Sequence, residues 1–240
     1  MILYGVGIGP GSPDLVTIGA LRLLEEADVV FLPVSGAGRE SVAGAVCARL
    51  IEEGQLRWER NRTCEFRFPM INDASRRDEE ITGQLNDLRP VWENARIVVL
   101  PVIGDSVLFA TASYLHSVWR RLCPDIELRL LPGISAHSLA SGIAGEFLVM
   151  GEERLAILPG SASPEKLAES MRASDCVALY KPSALGAHLT SLVESTGPWD
   201  KAVRVHRAGL SGQSVVSGRE AVLQTDDYLS VLLLWRNRGK

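Results

Sequence analysis

Residues 1–26 read MILYGVGIGPGSPDLVTIGALRLLEE, and this stretch decides the fold class. Met1 to Val6 is a short apolar run that breaks into glycines, the pattern of a buried strand feeding a tight turn. Ser12-Pro13-Asp14 predicts a helix start, with Ser12 as cap and Pro13 in the first helical position. Leu15, Ile18, Leu21 and Leu24 then recur on one face until about Ala27. Strand, glycine loop and helix together make a βα unit, and the same rhythm continues outward from it.

VVFLP (29–33) predicts the second strand, followed by a helix over about 41–52. TCEFRFPM (63–70) reads as a strand that Pro69 ends, and 76–94 as a polar amphipathic helix with Ile81, Leu85 and Leu88 on one side. IVVLPV (97–102) is a buried strand, with a helix after it from about Val107 to Cys123. Further strands are predicted at 127–131, 154–158, 176–180 and 202–206, helices at 135–144, 164–173 and 184–195, and a terminal strand within DDYLSVLLLWRN (226–237). The alternation argues for parallel α/β units. The punctuation Cys123-Pro124-Asp125 places a boundary between an N-terminal α/β domain, 1–122, and a C-terminal α/β domain, 123–240.

The chain has 240 residues, 46% hydrophobic and 22% charged, with a net charge of −4. That balance excludes a wholly disordered chain and disfavours a broad nucleic-acid-binding surface, which carries a basic excess. No apolar run reaches the roughly 18 residues of a membrane helix. Cys47, Cys64, Cys123 and Cys176 lie far apart, with no CxxC and no histidine at ligand spacing. Zinc sites and disulfide scaffolds are therefore not expected, no metal is predicted, and a cytoplasmic protein is the expectation.

Four stretches could carry chemistry. Gly5-Val-Gly7-Ile-Gly9-Pro10-Gly11 lets a backbone approach a ligand closely, yet no register gives GxGxxG and no lysine follows to make a P-loop. Val102-Ile103-Gly104-Asp105-Ser106 puts a carboxylate beyond a strand's carboxyl end, where ligands of parallel sheets bind; Asp105 or Ser106 capping the next helix is the competing reading. Leu131-Pro132-Gly133-Ile134-Ser135-Ala136-His137 offers small residues and a hydroxyl at a helix start, with an ordinary helix entry as the commoner reading of such a stretch. Arg57, Arg60, Arg62 and Arg67, interleaved with Trp58, Phe66 and Phe68 and with Arg39 upstream, would suit a flat, multiply acidic molecule, with a solvated surface as the alternative. His116, His137, His188 and His206 form no recognisable triad, and no catalytic residue is identified.

In three of these places the chain resembles the tetrapyrrole methylases, the S-adenosylmethionine-dependent enzymes of corrin and sirohaem synthesis. The family's GxGxGxxxxxT opening, GD(P) loop and PGI[ST] turn read here as GVGIGPGSPDLVT (5–17), IGDS (103–106) and LPGISA (131–136). Ser106 stands where the family usually has proline. GRES (38–41), EFRFPM (65–70) and SYL followed by GEERLAILPG (151–160) are similar to the branch of C20-methyltransferases acting on precorrin-2 or cobalt-factor II.

The resemblance implies two α/β domains with the active site in the cleft between them, a homodimer, and methyl transfer to C20 of the tetrapyrrole in cobalamin biosynthesis. It implies S-adenosyl-L-methionine contacts at Pro10, Ile103, Gly104, Asp105, Leu108, Ser135 and Ala136, with Tyr180 and Gly209 matched more loosely. Substrate carboxylates want arginine partners, which makes Arg39, Arg62 and Arg67 candidates. A methylase of another ring carbon or of ribosomal RNA, and a non-catalytic tetrapyrrole-binding protein, stay open as alternatives.

Overall fold

The structure, a computed structural model, describes residues 1–35, 41–57, 62–69, 71 and 73–236, and nothing of the side chains of Ser35 and Arg62. The described chain divides into two compact units, Met1–Ser135 and Ala136–Lys240.

In the first unit, strands β1 (Ile2–Gly7), β2 (Val29–Ser35), β3 (Arg62–Phe68), β4 (Ile97–Val102) and β5 (Glu127–Leu131) form a parallel sheet in the order β3-β2-β4-β1-β5. Helices α1 (Ile18–Glu26), α2 (Val42–Glu52), α3 (Ala74–Asp87), α4 (Arg89–Trp92) and α5 (Ala112–Leu122) follow the strands. A parallel sheet covered on both faces needs strands that are apolar throughout. Successive residues accordingly enter two different cores: Val29, Phe31, Val98 and Leu100 pack with α3, α4 and α5, whereas Val30 and Val99 pack with α1 and α2. Phe31 stacks on Phe66 at 5.3 Å and on Trp119 at 5.5 Å.

β5 corrects the expected boundary. It pairs with β1 in parallel from Ile2↔Glu127 to Val6↔Leu131, so dividing the chain at 122/123 would strip an edge strand from the first sheet. The sequence punctuation at Pro124 marks only the end of α5.

Two helix starts also differ from expectation. Pro13–Leu15 is a 3-10 turn rather than the opening of α1, and the cap is Thr17, whose Oγ1 accepts from the Ala20 N–H at 3.1 Å. The Leu15 carbonyl at the end of this turn lies against Gly9, where an added Cβ would stand 2.5 Å from it. Likewise α5 begins at Ala112 and not near Val107, leaving 105–111 as a loop.

The second unit holds α6 (Ala136–Ala144), β6 (Leu155–Pro159), α7 (Pro164–Arg172), β7 (Cys176–Tyr180), α8 (His188–Thr196), β8 (Lys201–His206), β9 (Ser214–Ser217) and β10 (Ser230–Trp235). Its sheet, in the order β6-β7-β10-β8-β9, is mixed: β6 and β7 are parallel, while β10 runs antiparallel to both β7 and β8, and β9 antiparallel to β8. The expected all-parallel arrangement is therefore corrected here. An apolar run such as SVLLLW shows that a strand is central and buried, but carries no sign of its direction. Because β7 and β8 both oppose β10, they run the same way and end at one edge of the sheet. The short β9 has few apolar residues and was not expected.

Candidate functional site

In the first unit, the carboxyl ends of β1, β4 and β5 interlock backbone to backbone. Gly9 and Gly104 exchange two hydrogen bonds, Gly9 N–H to the Gly104 carbonyl at 3.2 Å and Gly104 N–H to the Gly9 carbonyl at 2.7 Å. Both have φ in the left-handed region, 72° and 77°, which glycine occupies freely. A Cβ on Gly133 would stand 2.4 Å from the Gly104 carbonyl oxygen and 2.7 Å from the Gly7 carbonyl carbon, and one on Gly7 would stand 2.5 Å from the Gly133 nitrogen. No side chain fits, so the three loops meet only because these residues have none.

Asp105 ties this lock together. Its Oδ1 accepts from the Val107 N–H at 3.1 Å and the Gly133 N–H at 3.3 Å. It caps a loop and cross-links two strand ends, rather than capping α5. Ser106 is buried and its hydroxyl donates to the Leu131 carbonyl at 2.7 Å, holding the β4 loop to the end of β5. A hydroxyl thereby does by hydrogen bonding what a proline ring would do by stiffness.

Of the residues expected to contact a cofactor, Pro10, Ile103, Gly104, Asp105 and Leu108 come together around the Gly9–Gly104 bridge at the ends of β1 and β4. Pro10 is buried; Ile103 and Leu108 are half-buried. Ser135, also buried, follows Gly133 at the end of the unit.

The second unit places Ala136 at the start of α6, Tyr180 at the end of β7, and Gly209 (φ 76°) in the loop after β8. The Tyr180 hydroxyl joins α6 to β7: it lies 2.8 Å from His137 Nδ1 and accepts from the His137 backbone N–H at 3.2 Å. The sequence held no signal for this pair, since the partners are 43 residues apart. Gly209 N–H donates to Gln213 Oε1 at 2.8 Å, which closes the loop on itself.

Three non-glycine residues among those described have positive φ: Phe109 (50°), Lys181 (53°) and Arg207 (50°). Phe109 adjoins Leu108, Lys181 adjoins Tyr180, and Arg207 lies two residues before Gly209. Such conformations cost about 1–3 kcal/mol each and gather where a ligand is held. Their coincidence with three of the five expected contact segments is independent of any motif.

The histidines are structural in a way the sequence did not disclose. Buried Arg204 donates through Nη1 to the Ala221 carbonyl at 2.9 Å and the Leu223 carbonyl at 2.5 Å, and through Nε to His206 Nε2 at 3.0 Å. An accepting Nε2 leaves the proton on His206 Nδ1, which faces Asp227 Oδ2 at 3.3 Å. Burial lowers the Arg204 pKa, opposed by the charges of Glu220 and Asp227.

In the described part of the basic cluster expected to bind a flat ligand, Arg67 does not share a face with Phe66 and Phe68. On β3, Phe66 and Phe68 point into the core while Arg67 faces solvent; its strand position is held by paired hydrogen bonds with Gln84 at 2.8 and 2.7 Å. Period two puts alternate residues on opposite faces, so aromatic and arginine cannot share a ligand. Arg39, with Trp58 and Arg60, lies outside the described residues, as does the side chain of Arg62. The four cysteines are free, and burial pushes the Cys47 thiol up to about 12. Among the described residues no group of three His, Cys, Asp or Glu is placed to hold a metal, and no helix is long and apolar enough to cross a membrane.

Comparison with known proteins agrees with this fold. The family model described as Tetrapyrrole (Corrin/Porphyrin) Methylases matches residues 2–224. A probable cobalt-precorrin-2 C(20)-methyltransferase of Methanocaldococcus jannaschii is 30% identical over 98% of this chain and 96% of its own. A precorrin-2 C(20)-methyltransferase of Sinorhizobium sp is 26% identical over 98% and 96%. In fold, the chain is similar to a uroporphyrin-III C-methyl transferase from Thermus thermophilus solved with S-adenosylhomocysteine, with a TM-score of 0.68 at 20% identity over 98% of this chain and 97% of that one.

Proposed function

Because the chain belongs to the tetrapyrrole methylases, we propose that it methylates C20 of precorrin-2 or cobalt-factor II, a step in cobalamin biosynthesis. It is an S-adenosylmethionine-dependent methyltransferase. The observation that carries the reading is the close backbone packing of Gly7, Gly104 and Gly133, which draws three strand ends together where ligands of parallel sheets bind.

The residues present fit the cofactor. A ligand bearing a carboxylate, an ammonium, a ribose and an adenine needs backbone donors and acceptors, a carboxylate and apolar walls. The loops offer these as Gly104, Asp105 and the half-buried Ile103 and Leu108, with buried Pro10 stiffening the floor. Ser135, Ala136, Tyr180 and Gly209 complete the proposed contact set, and the His137 bonds fix the Tyr180 hydroxyl for its part. When bound, S-adenosylmethionine supplies a methyl group already activated by a sulfonium leaving group.

The protein's own task is to position and to exclude water; orientation of this kind can lower a barrier by about 7–11 kcal/mol. The strained loops at Phe109, Lys181 and Arg207 are suited to that task because they are held by the surrounding fold. We assign no side chain as a base. Arg67, exposed on β3, stays a candidate partner for a substrate carboxylate, as do Arg39 and Arg62. We further infer a cytoplasmic homodimer without nucleic-acid or membrane partners, supported by free cysteines, a net charge of −4, and Phe147 and Met150, which are exposed apolar residues.

The test is anaerobic turnover with S-adenosylmethionine and, separately, precorrin-2 and cobalt-factor II, read by mass spectrometry. Gain of one methyl group on either supports the reading, and gain on one alone identifies the pathway. No gain on either, with control C20-methyltransferases active, overturns the C20 assignment.

A further inference from the structure

Lys181 and Arg207 lie at the same end of the second sheet, one residue apart in register across β10. Lys181 follows the last residue of β7 and Arg207 the last residue of β8, and both have φ in the left-handed region. Each is held there by the start of β10: Lys181 N–H donates to the Ser230 carbonyl at 3.2 Å, and Arg207 N–H to the Leu229 carbonyl at 2.6 Å. Their own carbonyls then accept from Ala184 N–H at 3.0 Å and Leu210 N–H at 2.8 Å. Glycine or asparagine takes this conformation readily, whereas a long side chain takes it at a cost. Two such positions filled by cations argue that the charges themselves are used.

The surroundings point to an anionic, planar ligand. β10 lies between β7 and β8, so two strand spacings, about 10 Å, separate the two positions. Lys181 Nζ sits 4.6 Å from the centre of the exposed Tyr228 ring. Arg207 is exposed, and a Cβ on Gly212 in the same loop would stand 3.8 Å from its Nη1. Neither cation has an ion-pair partner among the described residues. The nearby Asp227 carboxylate is already engaged, by His206 through Oδ2 and by the Leu229 N–H at 3.0 Å through Oδ1.

We propose that Lys181 and Arg207 are a carboxylate-anchoring pair, each holding one acidic side chain on the rim of the tetrapyrrole, with the Tyr228 ring offered to the macrocycle. The inference rests on the tetrapyrrole reading above and names a subsite within it. A rim bearing several carboxylates can meet two cations at once, which sets the orientation of the ring as well as its affinity.

The test uses Lys181→Asn, Arg207→Asn and the double variant, because asparagine tolerates positive φ and leaves the backbone in place. Binding of uroporphyrin III, an octacarboxylate, is followed by tryptophan fluorescence; binding of S-adenosylhomocysteine by calorimetry; folding by thermal melting. Each single change is expected to raise the uroporphyrin Kd about fivefold and the double change about twentyfold or more, with a weaker salt dependence. S-adenosylhomocysteine affinity should stay within about twofold and the melting temperature should not fall. Unchanged uroporphyrin binding in the double variant, with the wild type binding well, overturns the anchoring pair alone. An equal loss of S-adenosylhomocysteine affinity overturns it too, since the loops would then serve only the cofactor. A wild type that binds no uroporphyrin and methylates neither C20 substrate overturns the function and this subsite together.

Discussion

The two units shape the strand ends that carry the proposed contacts by opposite means. In the first, loops after β1, β4 and β5 meet because Gly7 and Gly133 have no side chains to part them and Gly104 takes a positive φ. In the second, the edge formed by β7 and β8 carries large side chains, Tyr180, Lys181 and Arg207, two of them in a conformation their Cβ disfavours. A site made of missing atoms has a sequence signature, because only glycine will serve. A site made of side chains held against backbone preference has none, because the holding groups, here the Leu229 and Ser230 carbonyls, belong to a distant strand.

The contrast can be broken most directly at Gly133. Gly133→Ala forces a Cβ to within 2.4 Å of the Gly104 oxygen, which is backbone and cannot step aside. A loss of about 3 kcal/mol in unfolding free energy is expected, together with loss of S-adenosylhomocysteine binding in the fraction that folds. Denaturant titration and calorimetry would read both; an unaltered variant would show that the three loops do not interlock.

A smaller effect is expected beneath the second site. Arg204→Met leaves the Ala221 and Leu223 carbonyls and His206 Nε2 without their donor. Leaving such buried acceptors unmet costs about 2 kcal/mol. Because the network lies under the loops and not in them, S-adenosylhomocysteine affinity should change less than about twofold at a temperature where the variant is folded. A collapse of affinity without loss of stability would instead make His206 part of the binding surface.

The smallest of the three concerns Ser106. Ser106→Ala removes the 2.7 Å bond to the Leu131 carbonyl, for a cost of about 1 kcal/mol in thermal or chemical unfolding. A Ser106→Ala protein as stable as the wild type would mean that the hydroxyl does not hold the β4 loop to the end of β5.

Much of the first unit was legible in advance. The apolar runs of β1, β2 and β4 show no alternation because both faces are covered, and the glycine and GD loops follow strands as parallel architecture demands. Failures there were local: Ser12 reads as a cap, but Pro13–Leu15 forms a 3-10 turn against Gly9 and the helix is capped by Thr17. Phe66 and Phe68 read as ligand-stacking residues beside arginines, yet strand alternation buries the rings and turns Arg67 outward.

By itself, then, the order of residues determined that this chain is an α/β protein whose strand ends carry glycine-lined loops, and that its motifs match those of tetrapyrrole methylases. Both are local properties, set by burial, turn chemistry and spacing within a few residues. Only the tertiary structure decided that β5 joins the first sheet, that β10 runs antiparallel between β7 and β8, and that His137 holds Tyr180. It also put two cations at one end of the second sheet, on either side of β10. Those outcomes depend on pairing and hydrogen bonding between segments tens of residues apart, and nothing in a local stretch encodes which distant partner will meet it.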